Sequence, residues 1–536
     1  MSAGEVPTLA PANLADSWRP RVNPWIVTMT VMLPTFMEVL DGTIANVALP
    51  HIASNIGVSV DEATWVLTSY LVSNAIVLPL SGWFSSLFGR KRFYMTCVVL
   101  FSGASLLCGF APSLGWLVFF RILQGAGGGA LQPVSQAILV ESFPRQKQGL
   151  AMAAYGMGVV VAPIIGPTLG GWLTDNYTWR WIFFINIPVG ILSLLLTSAL
   201  VDDPPYLIRK ALKQLRIDYI GLGLLAVGLG FLQLVLDKGQ RDDWFESRFI
   251  TACTVLAVVG LIGVVVWELW LAKEPVIDIR LLKDRNFFSA NILMFTLGFV
   301  LYASTMLIPV FLQTLLGYTA TMSGLVLSPG GFITLFMLPV AGLLLPRVGP
   351  AWLITVGLIA GAASLFYLAG INLQVDYMSM VIARCFQTFG LAFLFVPINA
   401  AAFMFISRQH MSNATGIINL ARNIGGSAGV SFVTTMLARR AQYHQSVLVN
   451  HVTQYDYGVL AFFQRAGGFL VGRGSSPTHA ADQAHGLGNL LVQQQATMLA
   501  FIDNFWLLGV LFIALVPLAL SLKRAAPGQA MPMGPV

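Results

Sequence analysis

Arg121-Ile-Leu-Gln-Gly125 returns far down the chain as Arg384-Cys-Phe-Gln-Thr388. A proline follows each copy, at Pro133 and Pro397, and a glycine-rich stretch comes next in both places, at Gly156–Gly171 and Gly416–Gly429. Each copy lies in an apolar run long enough to cross a bilayer, which takes roughly 20 residues. Any two apolar helices look alike, but apolar composition alone does not produce the same order of Arg, Gln, Pro and then a Gly-rich helix. The repeat therefore points to two related helical halves, and two such halves around a midplane site are a transporter architecture.

Outward from the repeat, apolar runs recur along nearly all of the 536 residues. The chain is 56% apolar and 10% charged, with a mean hydropathy of +0.76, against roughly 25% charged residues in a soluble domain. Fourteen candidate spans follow, at 25–49, 63–85, 93–112, 116–139, 149–173, 181–201, 218–236, 249–270, 288–313, 322–345, 351–371, 378–402, 413–436 and 501–521. They divide as a tail at 1–24, a six-helix half at 25–201, an inserted pair with its linkers at 202–287, a second six-helix half at 288–522 and a tail at 523–536. The second half carries a polar insertion at 438–498, expected as an external solvated loop. Met1–Pro24 has no apolar core and is not a cleavable signal peptide.

The net charge is +7, which raises nucleic acid as a partner. The distribution of Lys and Arg argues against it. With a cytoplasmic N-terminus, nineteen fall in cytoplasmic segments, eight outside and three within spans, namely Arg121, Arg384 and Arg422. The excess of basic residues on the cytoplasmic side sets orientation, so the chain reads as a multi-pass inner-membrane protein with both termini in the cytoplasm. The four cysteines lie in apolar runs and match no metal motif. Cys97 and Cys108 are about 16 Å apart along a helix, too far for a disulfide, which needs Cα atoms within about 7 Å. Four of the six histidines are scattered between 438 and 498 without ligand spacing.

Glu38 and Asp41 lie one turn apart on the first span and share a face. Counting from Trp25, they sit roughly 20 and 24 Å along the helix, where a carboxylate is costly unless protonated, paired or wetted. They are candidate proton carriers, Asp41 first. A helix-end position in contact with water is the other reading. Arg121 is a permanently charged fork that needs an acceptor, either for proton coupling or for backbone carbonyls. Arg422 is a further candidate, and Arg384 reads as an echo of Arg121. Gly166 and Pro167 with Gly170 and Gly171 suit a helix that bends or packs closely, expected at the seam of two rocking halves. The run Gly127–Gly129 lacks the Lys and Ser/Thr of a phosphate loop. Candidate pocket residues are Trp65, Tyr70, Asn74, Tyr155, Tyr302, Gln387 and Arg422, among abundant Phe and Met that suit promiscuous apolar recognition. No metal cluster, cofactor motif, nucleotide site or catalytic triad is visible.

Several longer stretches carry a family resemblance from about Trp25 to Leu522. Leu40-Asp-Gly-Thr-Ile-Ala-Asn-Val-Ala-Leu-Pro50, Arg121-Ile-Leu-Gln-Gly-Ala-Gly-Gly-Gly129, Gly166-Pro-Thr-Leu-Gly-Gly171, Trp179-Arg-Trp-Ile-Phe-Phe-Ile-Asn-Ile-Pro-Val-Gly190 and Pro275-Val-Ile-Asp-Ile-Arg-Leu-Leu282 together resemble the fourteen-span drug:proton antiporters of the major facilitator superfamily, the EmrB-like permeases in particular. The resemblance implies an all-α bundle of two six-helix halves plus two inserted helices, and export of hydrophobic or amphiphilic compounds against protons. It also ties Arg121 to proton coupling and implies an EmrA-like periplasmic adaptor and an outer-membrane channel, for which the insertion is a docking surface. One departure stands out: Gly82-Trp-Phe-Ser-Ser-Leu-Phe-Gly-Arg-Lys91 keeps Gly82, Gly89, Arg90 and Lys91 of the superfamily's gate loop but has Ser86 and Leu87 at its Asp and Arg positions. Arg90 and Lys91 are then either gate elements or topology anchors.

The rivals are a dedicated exporter of an endogenous lipid-like metabolite or siderophore, an uptake symporter and a membrane-embedded enzyme. The antiporter motif speaks against the second, and the lack of a nucleophile–base pair against the third. The Lys/Arg imbalance makes the topology testable. A cysteine replacing Ser475 should react with an impermeant reagent added outside, and one replacing Ala211 should not. Reaction of both from the same side rejects the fourteen-span layout.

Overall fold

The computed structural model describes residues 20–144, 147–203, 218–272, 277–407, 410–453 and 455–523. Most of the two tails, and the basic stretch at 209–216, lie outside the described residues. Within them the chain is helical, with no strand. The first group of helices is α1 (Pro24–Ile56), α2 (Trp65–Phe88), α3 (Arg90–Gly109), α4 (Leu114–Gly128), α5 (Leu131–Ser142), α6 (Gln148–Asn176) and α7 (Asn186–Leu200). Then come α8 (Tyr219–Lys238) and α9 (Arg248–Val266). The second group is α10 (Arg285–Thr314), α11 (Ala320–Val348), α12 (Pro350–Ala369), α13 (Tyr377–Phe403), α14 (Met411–Val449), α15 (Tyr457–Gly472) and α16 (Pro477–Ala514). A helix covers each of the fourteen expected spans, and by length and composition eleven helices among the described residues qualify as membrane crossings. α1, α6 and α14 are not among the eleven; α1 and α14 carry the polar side chains described below.

Local chemistry sets the ends of these helices. Asn23 accepts a hydrogen bond from Trp25 N, with Pro24 in the first turn of α1, and Gly57 ends the same helix in the left-handed region at φ 76°. Asp218, Ser247, Asp284, Asp376, Asp456 and Ser476 cap α8, α9, α10, α13, α15 and α16 in the same way. The glycine run of the first repeat has a packing cause. A Cβ on Gly125 would lie 2.5 Å from Tyr70 O, one on Gly127 2.6 Å from Phe101 N, and one on Gly129 2.6 Å from Asn74 O. The backbone of α4 thus lies directly against α2 and α3, and the helix breaks there before resuming as α5.

The two groups meet at the end bearing the start of α1 and the start of α14. A Cβ on Gly82 of α2 would come within 2.7 Å of Asn413 Cα of α14. On the other flank Gly342 of α11 faces Gly149 O of α6, which a Cβ would approach to 2.9 Å. This end of the molecule is closed. Arg90 is buried and paired with Glu141 at the end of α5. Lys91 holds the end of α7, through its N–H to Asp203 Oδ1 at 2.8 Å and its Nζ to Ser198 O at 2.6 Å. Both therefore bind within the first group, and the close approach between groups is made by Gly82. The seam expectation for the antiporter motif needs correcting. Gly166 packs on Thr43 and Gly170 on Ile44, both in α1 of the same group, and nothing lies within 4 Å of a Cβ on Gly171. The part of α6 that touches the other group is its first turns. α6 runs unbroken through Pro167.

The insertion at 438–498 is helical where a solvated loop was expected. α14 and α16 have 39 and 38 residues, so each is about 57 Å long, against a hydrocarbon core of about 30 Å. The two helices pair through Asp503 of α16, which accepts from Arg440 Nε of α14 at 2.6 Å and lies 2.7 Å from His444 Nε2. The apolar patch at 459–463 lies on α15, where the Phe463 ring packs at a tilt against that of His485 of α16, 4.5 Å between centroids. Apolar side chains at helical spacing let the segment build a hairpin of its own.

Gly82→Leu tests the closure. The new side chain displaces Asn413, and overpacking of this kind costs about 1–3 kcal/mol. In a background without other reactive thiols, a cysteine at Ser81 (buried beside Gly416) should be labelled several-fold faster in the Gly82→Leu protein. Unchanged labelling rejects Gly82 as a closure point.

Candidate functional site

Four helices of the first group supply one buried network. Arg121 of α4 is 0% exposed. Its Nη1 donates to Asp41 Oδ2 at 2.6 Å and to Gln124 Oε1 at 2.8 Å, and its Nε to Val66 O at 3.0 Å. The other Asp41 oxygen accepts from Gln124 Nε2 at 2.9 Å and Asn186 Nδ2 at 2.8 Å. The ring of Tyr70 covers the guanidinium at 4.2 Å. Asp41 is therefore neutralised and saturated. Arg121 thus binds both a carboxylate and a backbone carbonyl.

Glu38, one turn earlier, is placed otherwise. It is 7% exposed, and its three partners are neutral: Gln132 Nε2 donates at 2.6 Å, Asn74 Nδ2 at 3.1 Å and the Tyr70 hydroxyl at 3.3 Å. Gln132 in turn accepts from Arg422 Nη2 of α14. Beside it Asn419 of α14 donates to Gln136 Oε1 at 2.5 Å, and Asn423 to Asn74 Oδ1 at 3.4 Å. Glu38 is thus one amide away from a cation of the opposite group. None of its hydrogen-bond partners carries a charge that would balance an ionised carboxyl.

Of the pocket candidates, Tyr70, Asn74 and Arg422 belong to this network. The others stand outside its hydrogen bonds, although Tyr155 packs on Phe395, whose ring lies 5.8 Å from the Arg422 guanidinium. Trp65 faces Lys238 Nζ of α8 at 4.8 Å, at the far end of α2. Tyr155 is buried with no partner for its hydroxyl and stacks on Phe395 of α13 at 6.4 Å. Gln387 pairs with Arg384. Tyr302 is 44% exposed and packs on Gly426. Gln132, Gln136, Asn186, Asn419 and Asn423 were not singled out from the sequence, and Gln124 stood out only as part of the repeat. The available signal was an amide inside an apolar span, which is costly unless bonded. Among the described residues no cluster of His, Cys, Asp or Glu has the geometry to hold a metal ion.

Two closely packed groups of helices, joined by an inserted pair and linked by a polar network at mid-depth, define a membrane transporter. Residues 31–430 match the family model described as Major Facilitator Superfamily, and the chain belongs to that family. It is 36% identical over 494 residues to a protein named multidrug export protein EmrB from Haemophilus influenzae, covering 92% of this chain and 94% of that one. It is 37% identical over 493 residues to a protein named fatty acid resistance protein FarB from Neisseria gonorrhoeae, with the same coverage. Among solved structures, the double-tryptophan variant of XylE covers 94% of this chain at 13% identity with a TM-score of 0.58; that likeness concerns the fold.

The two carboxylates should separate in stability. Breaking a buried ion pair costs about 3–5 kcal/mol because the remaining charge is uncompensated. Asp41→Asn should therefore lower the melting temperature in detergent by far more than Glu38→Gln, which places an amide among uncharged partners and leaves no directly paired cation behind. Equal losses would show that Asp41 and Arg121 are not a structural pair.

Proposed function

We propose that this chain is a proton-driven exporter of hydrophobic or amphiphilic compounds. It works by alternating access in the inner membrane, with fourteen crossings and both termini in the cytoplasm. Relatives named for multidrug export and fatty acid resistance support that substrate class. The observation that carries the coupling is the chain Glu38–Gln132–Arg422 between the two groups. An ionised Glu38 orients Gln132 toward Arg422 and favours closure at the basic end. A proton taken from the outer side removes that charge, weakens the link and lets the groups part at the cytoplasmic end. Release of the proton there restores the charge and favours return with substrate. Each ligand thus biases one state, as antiport requires. The neutralised Asp41–Arg121 pair serves as the fixed support of this switch, reversing the order expected from the sequence. An exporter of one endogenous lipid-like metabolite or siderophore would use the same switch, and a resistance profile across unrelated drugs separates the two.

The hairpin of α14, α15 and α16 reaches about 25 Å beyond a bilayer core, a length that supports docking of a periplasmic adaptor leading to an outer-membrane channel. Removing the hairpin tip between Val449 and Gly488 should leave transport in liposomes intact and abolish resistance in a cell with two membranes. Resistance that survives the deletion removes the docking role.

In liposomes, Glu38→Gln should abolish substrate movement driven by a pH gradient while substrate binding persists. Uphill transport by Glu38→Gln at the parent rate would assign the proton to another group.

A further inference from the structure

The second repeat rebuilds the Arg121 site without its acid. Arg121 Nη1 donates to Gln124 Oε1, three residues on, at 2.8 Å, and Arg384 Nη1 donates to Gln387 Oε1, also three residues on, at 2.6 Å. Asp41 of α1 closes the first site. In the second, the group supplied by α10 is the hydroxyl of Thr305, which accepts from Arg384 Nη2 at 3.3 Å. The cation and the amide are retained and the anion is missing.

That leaves a charge without a counter-charge. Arg384 is 7% exposed, and among the described residues no carboxylate pairs with it. Arg384 Nε and Gln387 Nε2 are buried donors with no partner. A guanidinium deep in a membrane costs at least about 2.5–3.5 kcal/mol, and one amide oxygen with one hydroxyl does not offset a full charge. The first repeat shows what this geometry accommodates when complete, a carboxylate against the guanidinium. The open side is also defined. Thr305 is exposed and Tyr302, one turn earlier on α10, is exposed as well, whereas Gln387 is enclosed. A planar fork with an unused Nε–H favours a two-oxygen anion over a spherical one, and the site repels cations.

We propose that Arg384, with Thr305 and Gln387, binds the carboxylate head of an amphiphilic substrate, an assignment that rests on the exporter reading above. The tail then extends along the open face of α10 past Tyr302.

The test uses the full-length protein in a neutral detergent, with dodecanoate and dodecyltrimethylammonium as probes. Thr305→Asp installs the acid that the first repeat has and compensates the buried charge, so its melting temperature should equal or exceed that of the parent. Arg384→Gln removes the charge instead. In both variants dodecanoate affinity should fall at least tenfold, and preference should shift toward the ammonium probe by the same factor. Dodecanoate binding by folded Thr305→Asp within twofold of the parent overturns the site. Displacement of dodecanoate by phosphatidylglycerol, but not by phosphatidylcholine, at matched concentration assigns the site to a lipid headgroup and overturns the substrate claim. Transport separates this proposal from the exporter reading. If the parent shows Arg384-dependent dodecanoate binding but moves neither probe under a pH gradient, the anion site stands and the exporter reading fails.

Discussion

A charge inside a bilayer must be matched, and the Asp41–Arg121 pair is where the first group of helices meets that demand. Four helices converge on it: α1 brings the acid, α4 the guanidinium and Gln124, α7 Asn186, and α2 both the Val66 carbonyl and the Tyr70 ring. With every oxygen of Asp41 bonded, the cluster has one low-energy arrangement. The glycines of α4 follow from it, because α4 must lie close against α2 and α3 to deliver Arg121 to that point.

A rigid centre makes its neighbour useful. Glu38 is on the same helix face, one turn away, so the pair holds its backbone in place while its own partners remain neutral and its amide neighbour reaches across to Arg422. A group that changes charge acts as a switch only when it sits where two bodies meet. Glu38 does, and Asp41 is enclosed within one body. The same contrast, one complete ion pair and one incomplete, recurs between Arg121 and Arg384.

The repeat of Arg, Gln, Pro and Gly was legible in the sequence because each residue has a distinct chemical cost inside an apolar helix. The family followed from longer motifs. The different surroundings of the two carboxylates were not legible. Depth along a helix treats Glu38 and Asp41 alike, and their difference lies in which neighbouring helix each one faces. Nor was the place of Gly166 and Gly170, since small residues announce a close approach without naming the partner, which turned out to be Thr43 and Ile44 of α1. The hairpin was hidden by averaging: polar residues at 438–498 suggested solvent, while apolar residues at helical spacing within the segment build α15 against α16. The neighbour of Trp65 was not legible either, since an aromatic residue does not announce that it faces Lys238 of α8.

α8 touches both groups. Asp237 accepts from Thr68 of α2, Lys238 donates to Thr64 at 2.8 Å, and Gln233 donates to Ser427 of α14 at 2.9 Å. The α2–α14 seam is therefore roofed by protein on its lipid side, and α9 lies against α8 through the close contact of Gly228 with Gly260. For any compound dissolved in the acyl layer the two flanks are therefore unequal: the inserted pair covers the α2–α14 seam, whereas α6 and α11 border the other.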